Sequence, residues 1–249
     1  MCCRRLSLGV FWAVLGVFGG LAAGLAAETA PAGKIKVLYV FNGGHDGKAF
    51  IALLGKVLER TGDFTLTSAR DADDLKAENI GKYDLVLFYG SGGTIRDPQQ
   101  EQGLWNFVHQ GGGIVAVHAT DANKNSDVYW ELLGGRFIGH GSGKYAVHIY
   151  DKDHAITAGM SNFDISDETY AHLYHKNACM RCLVRMDRGN ERQSMAWVQQ
   201  PGKGRVFTTG FGDNRGAWDN PQFQRLVVRA MYWAGGRTPK DPPTGPANK

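Results

Sequence analysis

The sequence predicts a three-layer α/β fold in which helices cover both faces of a mostly parallel β-sheet. Apolar runs of strand length recur in the first half of the chain, and nearly every position in them is apolar, which is typical of strands buried on both faces. Segments with apolar residues at helical spacing lie between these runs. Because strands and helices alternate, the pattern favours parallel strands joined by helical crossovers.

The first half of the chain supplies the regular part of this pattern. The run KIKVLYVF is the first predicted strand, and Gly62 is expected to end the helix that follows it. Asp71 and the pair Asp97–Pro98 have the residue types that begin helices. The predicted strands cover residues 34–41, 64–69, 83–89 and 114–117, and the predicted helices cover 48–61, 71–80 and a segment that begins at 97.

The second half is less regular. Short apolar runs predict a helix over 128–133, strands over 145–150, 195–198 and 204–210, an extended or mixed segment over 168–175, and a last helix over 221–235. Cys179 and Cys182 lie at the start of a further strand-like run. Their spacing is compatible with half of a zinc site or with a redox motif, but a strand position favours a structural role, as a disulfide or as buried thiols.

The N-terminal segment has the features of a secretory signal peptide over residues 1–27. Arg4 and Arg5 precede an uncharged apolar run, and small residues follow that run. The alternative is a membrane anchor, but Gly and Ala dominate the second half of the run, which favours cleavage. We therefore expect an exported protein, periplasmic or extracellular, with no stable membrane span after cleavage. The polar, Pro-rich tail over 237–249 is predicted to be disordered.

Composition argues against nucleic-acid binding. The net charge of +4 includes Arg4 and Arg5, so cleavage of the signal would leave +2. The remaining charges form no basic stripe of the kind that binds phosphate backbones. About 220 residues remain after cleavage, enough for one domain with a sizeable core.

Polar residues collect where predicted strands end, and open α/β sheets bind ligands beyond the carboxyl ends of their strands. The residues after the first and fourth strands are Gly44, His45, Asp46, His118, Thr120 and Asp121. One buried histidine is more often structural than functional. Two histidines at neighbouring strand ends, His45 and His118, favour a shared cleft and a catalytic role.

Three more residues are candidates for acid–base chemistry. His140 lies in a glycine-rich stretch that we interpret as a flexible loop, and loops often carry function. Glu168 and Tyr170 are two positions apart, so they share one face if their segment is extended. A carboxylate beside a phenol can transfer protons, whereas the alternative is a solvated strand edge.

Several runs together resemble the trehalose-utilisation (ThuA-like) domain family. GGGIVAVHAT at 111–120 is similar to the signature run of that family. Other runs fit its motifs in the same order, namely GGH at 43–45, LGGRF at 133–137, DETY at 167–170 and WDNP at 218–221. The resemblance extends over most of the chain and defines one predicted domain over 34–236.

The resemblance implies a flavodoxin-like or class I glutamine amidotransferase-like fold. The amidotransferases place a cysteine nucleophile on the turn where this chain has His118, so the sequence excludes amide hydrolysis by a thiolate. Relatives in the family often carry a late histidine after a Leu-Gly pair, where this chain has Phe211-Gly212-Asp213. Asp213, at this position, is a candidate for substrate binding. Trp218 is another, because sugars stack their apolar ring faces on aromatic groups; the alternative is an ordinary core tryptophan.

The resemblance also implies a small-molecule carbohydrate as substrate, such as trehalose, a related glycoside or a 3-keto-glycoside. We expect an enzyme that uses elimination, hydrolysis or isomerisation, and the alternatives are a sugar-binding domain and a metal-dependent hydrolase. No cofactor is evident, but a divalent metal is an option with His45, His118 and His140 as ligands. Homo-oligomerisation stays open.

The candidate site residues fall into two groups. The candidate catalytic residues are His45, His118, His140, Glu168 and Tyr170. The candidate substrate-binding residues are Gly44, Asp46, Thr120, Asp121, Asp213 and Trp218.

Overall fold

The computed structural model describes residues 33–188 and 191–243. The predicted signal peptide over 1–27 and the end of the predicted tail over 244–249 lie outside the described residues. Among the described helices, none combines the length and the apolar character that crossing a bilayer requires.

The described residues form an α/β fold with one nine-stranded sheet and six α-helices. The strands are β1 (Ile35–Phe41), β2 (Phe64–Ser68), β3 (Leu85–Tyr89), β4 (Gly113–Val117), β5 (Gly135–Ile149), β6 (Phe163–Tyr174), β7 (Arg181–Arg188), β8 (Glu191–Gln199) and β9 (Arg205–Thr209). The helices are α1 (Gly47–Thr61), α2 (Ala77–Ile80), α3 (Pro98–Gln110), α4 (Asp127–Leu133), α5 (Arg215–Trp218) and α6 (Pro221–Ala234), and a 3₁₀ turn covers Ala72–Leu75.

The sheet has the strand order β2-β1-β3-β4-β9-β8-β7-β5-β6 and is mixed. The first five strands in that order, β2 to β9, are parallel to one another, as predicted. The pairings that follow, from β9–β8 to β5–β6, are antiparallel and run over more residues than the parallel ones. The prediction of a mostly parallel sheet is therefore wrong.

The connections between strands explain the difference. In the first half, a helix lies between successive strands, and a helical crossover returns the chain to a parallel neighbour. Between β5 and β9 the described elements are strands only, joined without a helix, so neighbouring strands run in opposite directions. Antiparallel sheets can leave one face in water, and β5 accordingly alternates between buried or half-buried and exposed positions over part of its length.

The core lies in two layers, one on each face of the sheet, as the sequence predicts. On one face, side chains of α1 and α6 such as Phe50 and Leu226 pack on Val37 of β1. On the other face, Leu104 of α3 packs with Leu38 of β1. Because residues 37 and 38 point to opposite faces of a strand, the buried apolar run 37–40 of β1 contributes to both layers.

Helix ends follow the predicted residue types. Asp97 accepts hydrogen bonds from the backbone of Gln99 and Gln100, and Pro98 takes the first position of α3. Gly62 ends α1 in a left-handed conformation with φ of 70°. The cap at Asp97 begins α3, and Gly62 turns the chain from α1 into β2.

Two predictions about the second half are wrong. The glycine-rich stretch around His140 is not a flexible loop, because it belongs to the long strand β5 and pairs with β6. The strand β7 is present as expected, but Cys179 is exposed, Cys182 is half-buried and no disulfide joins them in the described part of the chain. Neither predicted structural form of the pair is observed.

The first part of the tail contacts the body of the domain. Asp241 forms ion pairs with Arg225 at 2.7 Å and Arg229 at 3.0 Å, and Lys240 pairs with Asp63 at 2.9 Å. Residues 237–243 have no helix or strand, and the backbone N–H of Arg237 adds a hydrogen bond to the carbonyl oxygen of Tyr232 at 2.8 Å.

Candidate functional site

The first member of the site is His45, which follows β1 at the carboxyl edge of the sheet. The chain turns at Gly43 and Gly44, with φ of 84° and 80°, values that glycine adopts without steric cost. Asp46 then caps α1 by accepting a hydrogen bond from the backbone of Ala49 at 3.0 Å. His45 is therefore fixed between a tight turn and a capped helix, with its ring directed at β4.

The second member is His118, which directly follows β4. Its φ of 50° lies in the left-handed region, which a non-glycine residue seldom adopts. The side chain is fully buried. Its Nδ1 lies 2.9 Å from the carbonyl oxygen of Gly210, and because a carbonyl only accepts, Nδ1 carries the proton. The other ring nitrogen, Nε2, points into the cleft toward Glu168 and Asp213.

The third member is Asp213, which follows β9. Two side chains hold its backbone in place. The hydroxyl of Tyr89 donates to the carbonyl oxygen of Gly212 at 3.0 Å. The buried carboxylate of Asp167 accepts from the backbone N–H groups of Gly212 and Asp213 at 2.6 Å and 3.0 Å. The conformation of this loop is thus set by residues of β3 and β6.

These three residues converge on one point. Nδ1 of His45 lies 3.0 Å from Oδ1 of Asp213, and Nε2 of His118 lies 3.7 Å from the same oxygen. The two imidazole rings meet edge to face, with centroids 4.8 Å apart. The fold therefore brings together side chains that are far apart in the sequence.

The β5–β6 hairpin adds an acid–base pair. Oε2 of Glu168 lies 3.4 Å from Nε2 of His118, and Oε1 lies 2.9 Å from Nδ1 of His140. His140 is about half exposed, whereas Glu168 is 19% exposed. Glu168 thus links the buried histidine to one that reaches solvent, and a chain of this kind can carry protons in and out of the cleft.

The local environment sets the charges of these groups. The approach of the His118 imidazole lowers the pKa of Glu168 and outweighs burial, which acts in the opposite direction, so the group is a carboxylate at neutral pH. Burial lowers the pKa of His45, so its neutral form is favoured. Burial raises the pKa of Asp167 to about 7 in spite of its two backbone donors.

Tyr170, Asp121 and Thr120 form the wall of the cleft on the β6 side. The ring of Tyr170 is 2% exposed and packs on His118 with centroids 3.9 Å apart. Burial raises the pKa of Tyr170 and, separately, that of Asp121. The hydroxyl of Thr120 lies 3.0 Å from Nε2 of His172. These residues lie beside the cluster and form its wall, and the side chains of Tyr170 and Thr120 are buried.

The sequence profile of the trehalose utilisation (ThuA) family matches residues 36–234. The chain belongs to the ThuA family. A search of curated protein sequences gives no match.

Solved structures agree with this ThuA assignment at the level of the fold. A ThuA-like protein from Parabacteroides merdae has a TM-score of 0.73 at 19% identity, with 84% of this chain and 93% of that chain covered. A ThuA-like protein from Bacteroides uniformis has a TM-score of 0.65 at 16% identity, with 85% and 95% covered. A β-galactosidase from Rahnella sp. R3 has a TM-score of 0.58 at 16% identity, and the match covers 81% of this chain but 31% of that enzyme.

Most of the predicted catalytic residues of this ThuA-family chain lie together. His45, His118, His140 and Glu168 form one connected set, and Asp213 joins them at its centre. The group of side chains placed to offer ligand atoms differs from the predicted ligand set. A ligand atom from each of His45, His118 and Asp213 lies within 4.8 Å of the others, whereas His140 pairs with Glu168.

Three predicted substrate-binding residues have structural roles. Trp218 is 4% exposed and packs in the core against Phe50, so it is not an aromatic wall. Asp46 caps α1. Gly44 packs so closely on Ser91 that an added Cβ would lie 1.7 Å from the Ser91 hydroxyl oxygen. The strand-end rule selects all residues of a turn and cannot separate those that build the turn from those that face the cleft.

Sequence reasoning missed the residues that support the site in this ThuA-family chain. Asp167 and Tyr89 fix the loop that carries Asp213, and His172 packs behind Thr120. Asp167 and His172 lie in the same strand as Glu168. Carboxylates are seldom buried unless they are paired, so an Asp at an inward-facing position of this strand could have indicated a supporting role. The role of Tyr89 depends on a contact across 123 residues, which no local pattern contains.

Proposed function

We propose that this protein is an enzyme that acts on trehalose-related sugars, in particular their 3-keto-glycoside forms, by acid–base chemistry. Membership of the ThuA family, which is described by trehalose utilisation, supports a sugar as substrate. The observation that carries an enzymatic role is the convergence of His118, Glu168 and Asp213 on one point at the carboxyl edge of the sheet. A site that only held a sugar would have no need for a buried imidazole against two carboxylates.

A keto-sugar suits this set of groups. The hydrogen on the carbon next to a ketone is acidic, and a carboxylate at neutral pH can accept it. In an elimination, Glu168 takes this proton, the electron pair forms the enolate, and the bond to the glycosidic oxygen breaks. The protonated Glu168 then returns the proton to the leaving oxygen. A cation or a hydrogen-bond donor beside His45 and His118 would stabilise the negative charge that develops on the ketone oxygen.

The neighbouring His140 fits a role in resetting the base. Its Nδ1 lies 2.9 Å from Glu168, and its ring is half exposed. While Glu168 holds the abstracted proton, that proton can exchange with solvent through this imidazole. The proposed export to the periplasm or exterior would place the enzyme where external glycosides arrive.

The test is turnover of 3-keto-glycosides, with unmodified trehalose as the comparison, followed by mass spectrometry. We expect product from a keto-glycoside, and we expect Glu168→Gln to reduce the rate by about 10²–10⁴-fold, as loss of a general base does. The control is His148→Gln, which removes a partly exposed histidine that pairs with Asp187 away from the cleft.

Two results would remove the proposal. One is the absence of turnover on every keto-glycoside tested while unmodified sugar binds and is recovered unchanged, which would identify a sugar-binding domain. The other is unchanged turnover in both Glu168→Gln and His118→Ala when circular dichroism shows that both variants are folded.

A further inference from the structure

The cluster at the centre of the site contains a buried ring nitrogen without a hydrogen-bond partner. Nδ1 of His118 is engaged by the carbonyl oxygen of Gly210, so Nε2 is the ring nitrogen that is left to bind a ligand. Nε2 is buried and has no hydrogen-bond partner among the described residues. Carboxylate oxygens of Glu168 and Asp213 lie 3.4 Å and 3.7 Å from it. A cation bound among these atoms would pair with the carboxylates and give the buried nitrogen a partner.

We propose that His45, His118 and Asp213 bind a divalent transition-metal ion of the zinc type. The three side chains each offer one ligand atom, and these atoms lie within 4.8 Å of one another. Two imidazoles and one carboxylate are a ligand set that zinc uses in catalytic sites, where a fourth position stays open for water or substrate. Imidazole ligands argue against Mg²⁺ and Ca²⁺, which prefer oxygen.

The spacing of the side chains fits such an ion. With bonds of about 2.0–2.1 Å, neighbouring ligand atoms of a tetrahedral site lie about 3.3–3.4 Å apart. The distances to Oδ1 of Asp213 are 3.0 Å from His45 and 3.7 Å from His118, on either side of that value. Small side-chain movements would therefore complete the geometry.

Two of the three ligands, His118 and Asp213, also have the outer contacts of a metal site. Metal-binding histidines usually donate their second ring N–H to a backbone carbonyl or a carboxylate, and His118 donates to the carbonyl of Gly210. The other oxygen of Asp213 accepts from the side-chain amide of Asn214 at 3.0 Å, which orients Oδ1 toward the histidines. Both contacts hold a ligand in place without occupying its binding atom.

A second group of similar composition lacks these features. Asp127, Glu131 and His175 also bring three ligand atoms within 4.8 Å. However, Nδ1 of His175 accepts from the backbone N–H of Asn177 at 3.3 Å, so in the neutral ring Nε2 carries the proton and has no lone pair for a metal. Asp127 is also 78% exposed. This group serves as the matched control.

The inference deepens the proposed function, because a bound cation would polarise the ketone oxygen while Glu168 accepts the proton. The binding itself can be measured without any substrate. Protein freed of metal with a chelator is titrated with ZnCl₂ by calorimetry, and Co²⁺ is bound in its place for absorption spectra. We expect one Zn²⁺ per chain and a visible Co²⁺ spectrum typical of a nitrogen- and oxygen-ligated site.

Variants decide which residues bind the ion. Asp213→Asn keeps the shape of a partly exposed side chain, so this variant is expected to fold. Both Asp213→Asn and His45→Gln should weaken Zn²⁺ binding by more than about 10–100-fold, which is the cost of losing an outer contact. Asp127→Asn should bind Zn²⁺ as the wild type does. Absence of Zn²⁺ and Co²⁺ binding, unchanged binding in Asp213→Asn and His45→Gln, or loss of binding in Asp127→Asn would each overturn the site.

The metal site and the proposed function fail in different ways. Stoichiometric Zn²⁺ binding without turnover of any keto-glycoside leaves the site standing and removes the enzymatic proposal. Turnover that persists at the full rate in metal-free protein shows that the chemistry is independent of the ion, and absence of binding in the same preparation removes the site.

Discussion

At the scale of single residues, His118 is the most constrained position of the site. It combines a left-handed backbone with complete burial and a hydrogen bond from Nδ1 to Gly210. The left-handed conformation costs most side chains about 1–2 kcal/mol, and Asn tolerates it better than β-branched residues do. The tight turn directs the ring into the cleft, so strain at this residue is coupled to the position of the imidazole.

This strain gives a prediction about two substitutions. Both His118→Asn and His118→Val remove the imidazole and should abolish turnover. His118→Val should also lose about 1–2 kcal/mol more stability than His118→Asn, because valine opposes a positive φ. Urea unfolding at pH 7 measures the difference. Equal stability of the two variants would mean that the backbone at this position relaxes without cost.

At the scale of elements, the ends of β1, β4 and β9 and the β5–β6 hairpin each deliver part of the site. The β5–β6 register places His140 opposite Tyr170, and Glu168 lies two positions from Tyr170 along β6, on the same face of the strand. A shift of that register by one residue would turn Glu168 to the other face of the hairpin. The antiparallel half of the sheet, which the alternation rule did not predict, therefore supplies the proposed base.

Helix α1 provides a prediction at this scale. Asp46 accepts the hydrogen bond of the N-cap, so Asp46→Ala should cost about 1 kcal/mol of stability, whereas Asp46→Ser, which keeps a capping oxygen, should cost a few tenths at most. Urea unfolding of the two variants tests this. A loss of sugar affinity in Asp46→Ser with normal stability would instead support the substrate-binding role that the sequence suggested.

At the scale of the whole molecule, buried titratable groups couple stability to pH in both directions. Burial lowers the pKa of His172 to about 3, so its neutral form is favoured in the folded protein. Burial raises the pKa of Asp167 to about 7, which favours its protonated form. The contribution of His172 to the free energy of unfolding is present at higher pH, and that of Asp167 at lower pH. A variant that lacks one of these groups therefore separates the two contributions better than the wild type alone.

The prediction concerns His172→Gln. The pKa of a histidine in the unfolded chain is about 6.5, so the contribution of His172 is complete above that pH and is lost as pH falls toward about 3. The wild type should therefore lose its stability advantage over His172→Gln between about pH 6.5 and 4. Urea unfolding of both proteins across this range is the measurement, with His148→Gln as the control. A pH-independent difference would show that the ring is not buried as described.

The sequence by itself determined the first five parallel strands in outline, the two-layer core and which polar residues lie at the carboxyl edge of the sheet. Periodicity and caps are local properties, so β1 with α1 or Asp97 with Pro98 could be recognised from neighbouring residues alone. The strand-end rule also selected His45 and His118, because parallel strands bring their carboxyl ends to one edge.

Tertiary structure decided the rest. The antiparallel pairing of β5 to β9, the burial of Trp218 and the support of Asp213 by Tyr89 and Asp167 all depend on contacts between distant segments. No short pattern encodes these contacts, because they arise when elements pack and exclude water from one side of a strand or a ring. The same packing removed Trp218 from the site and brought Asp213 to its centre.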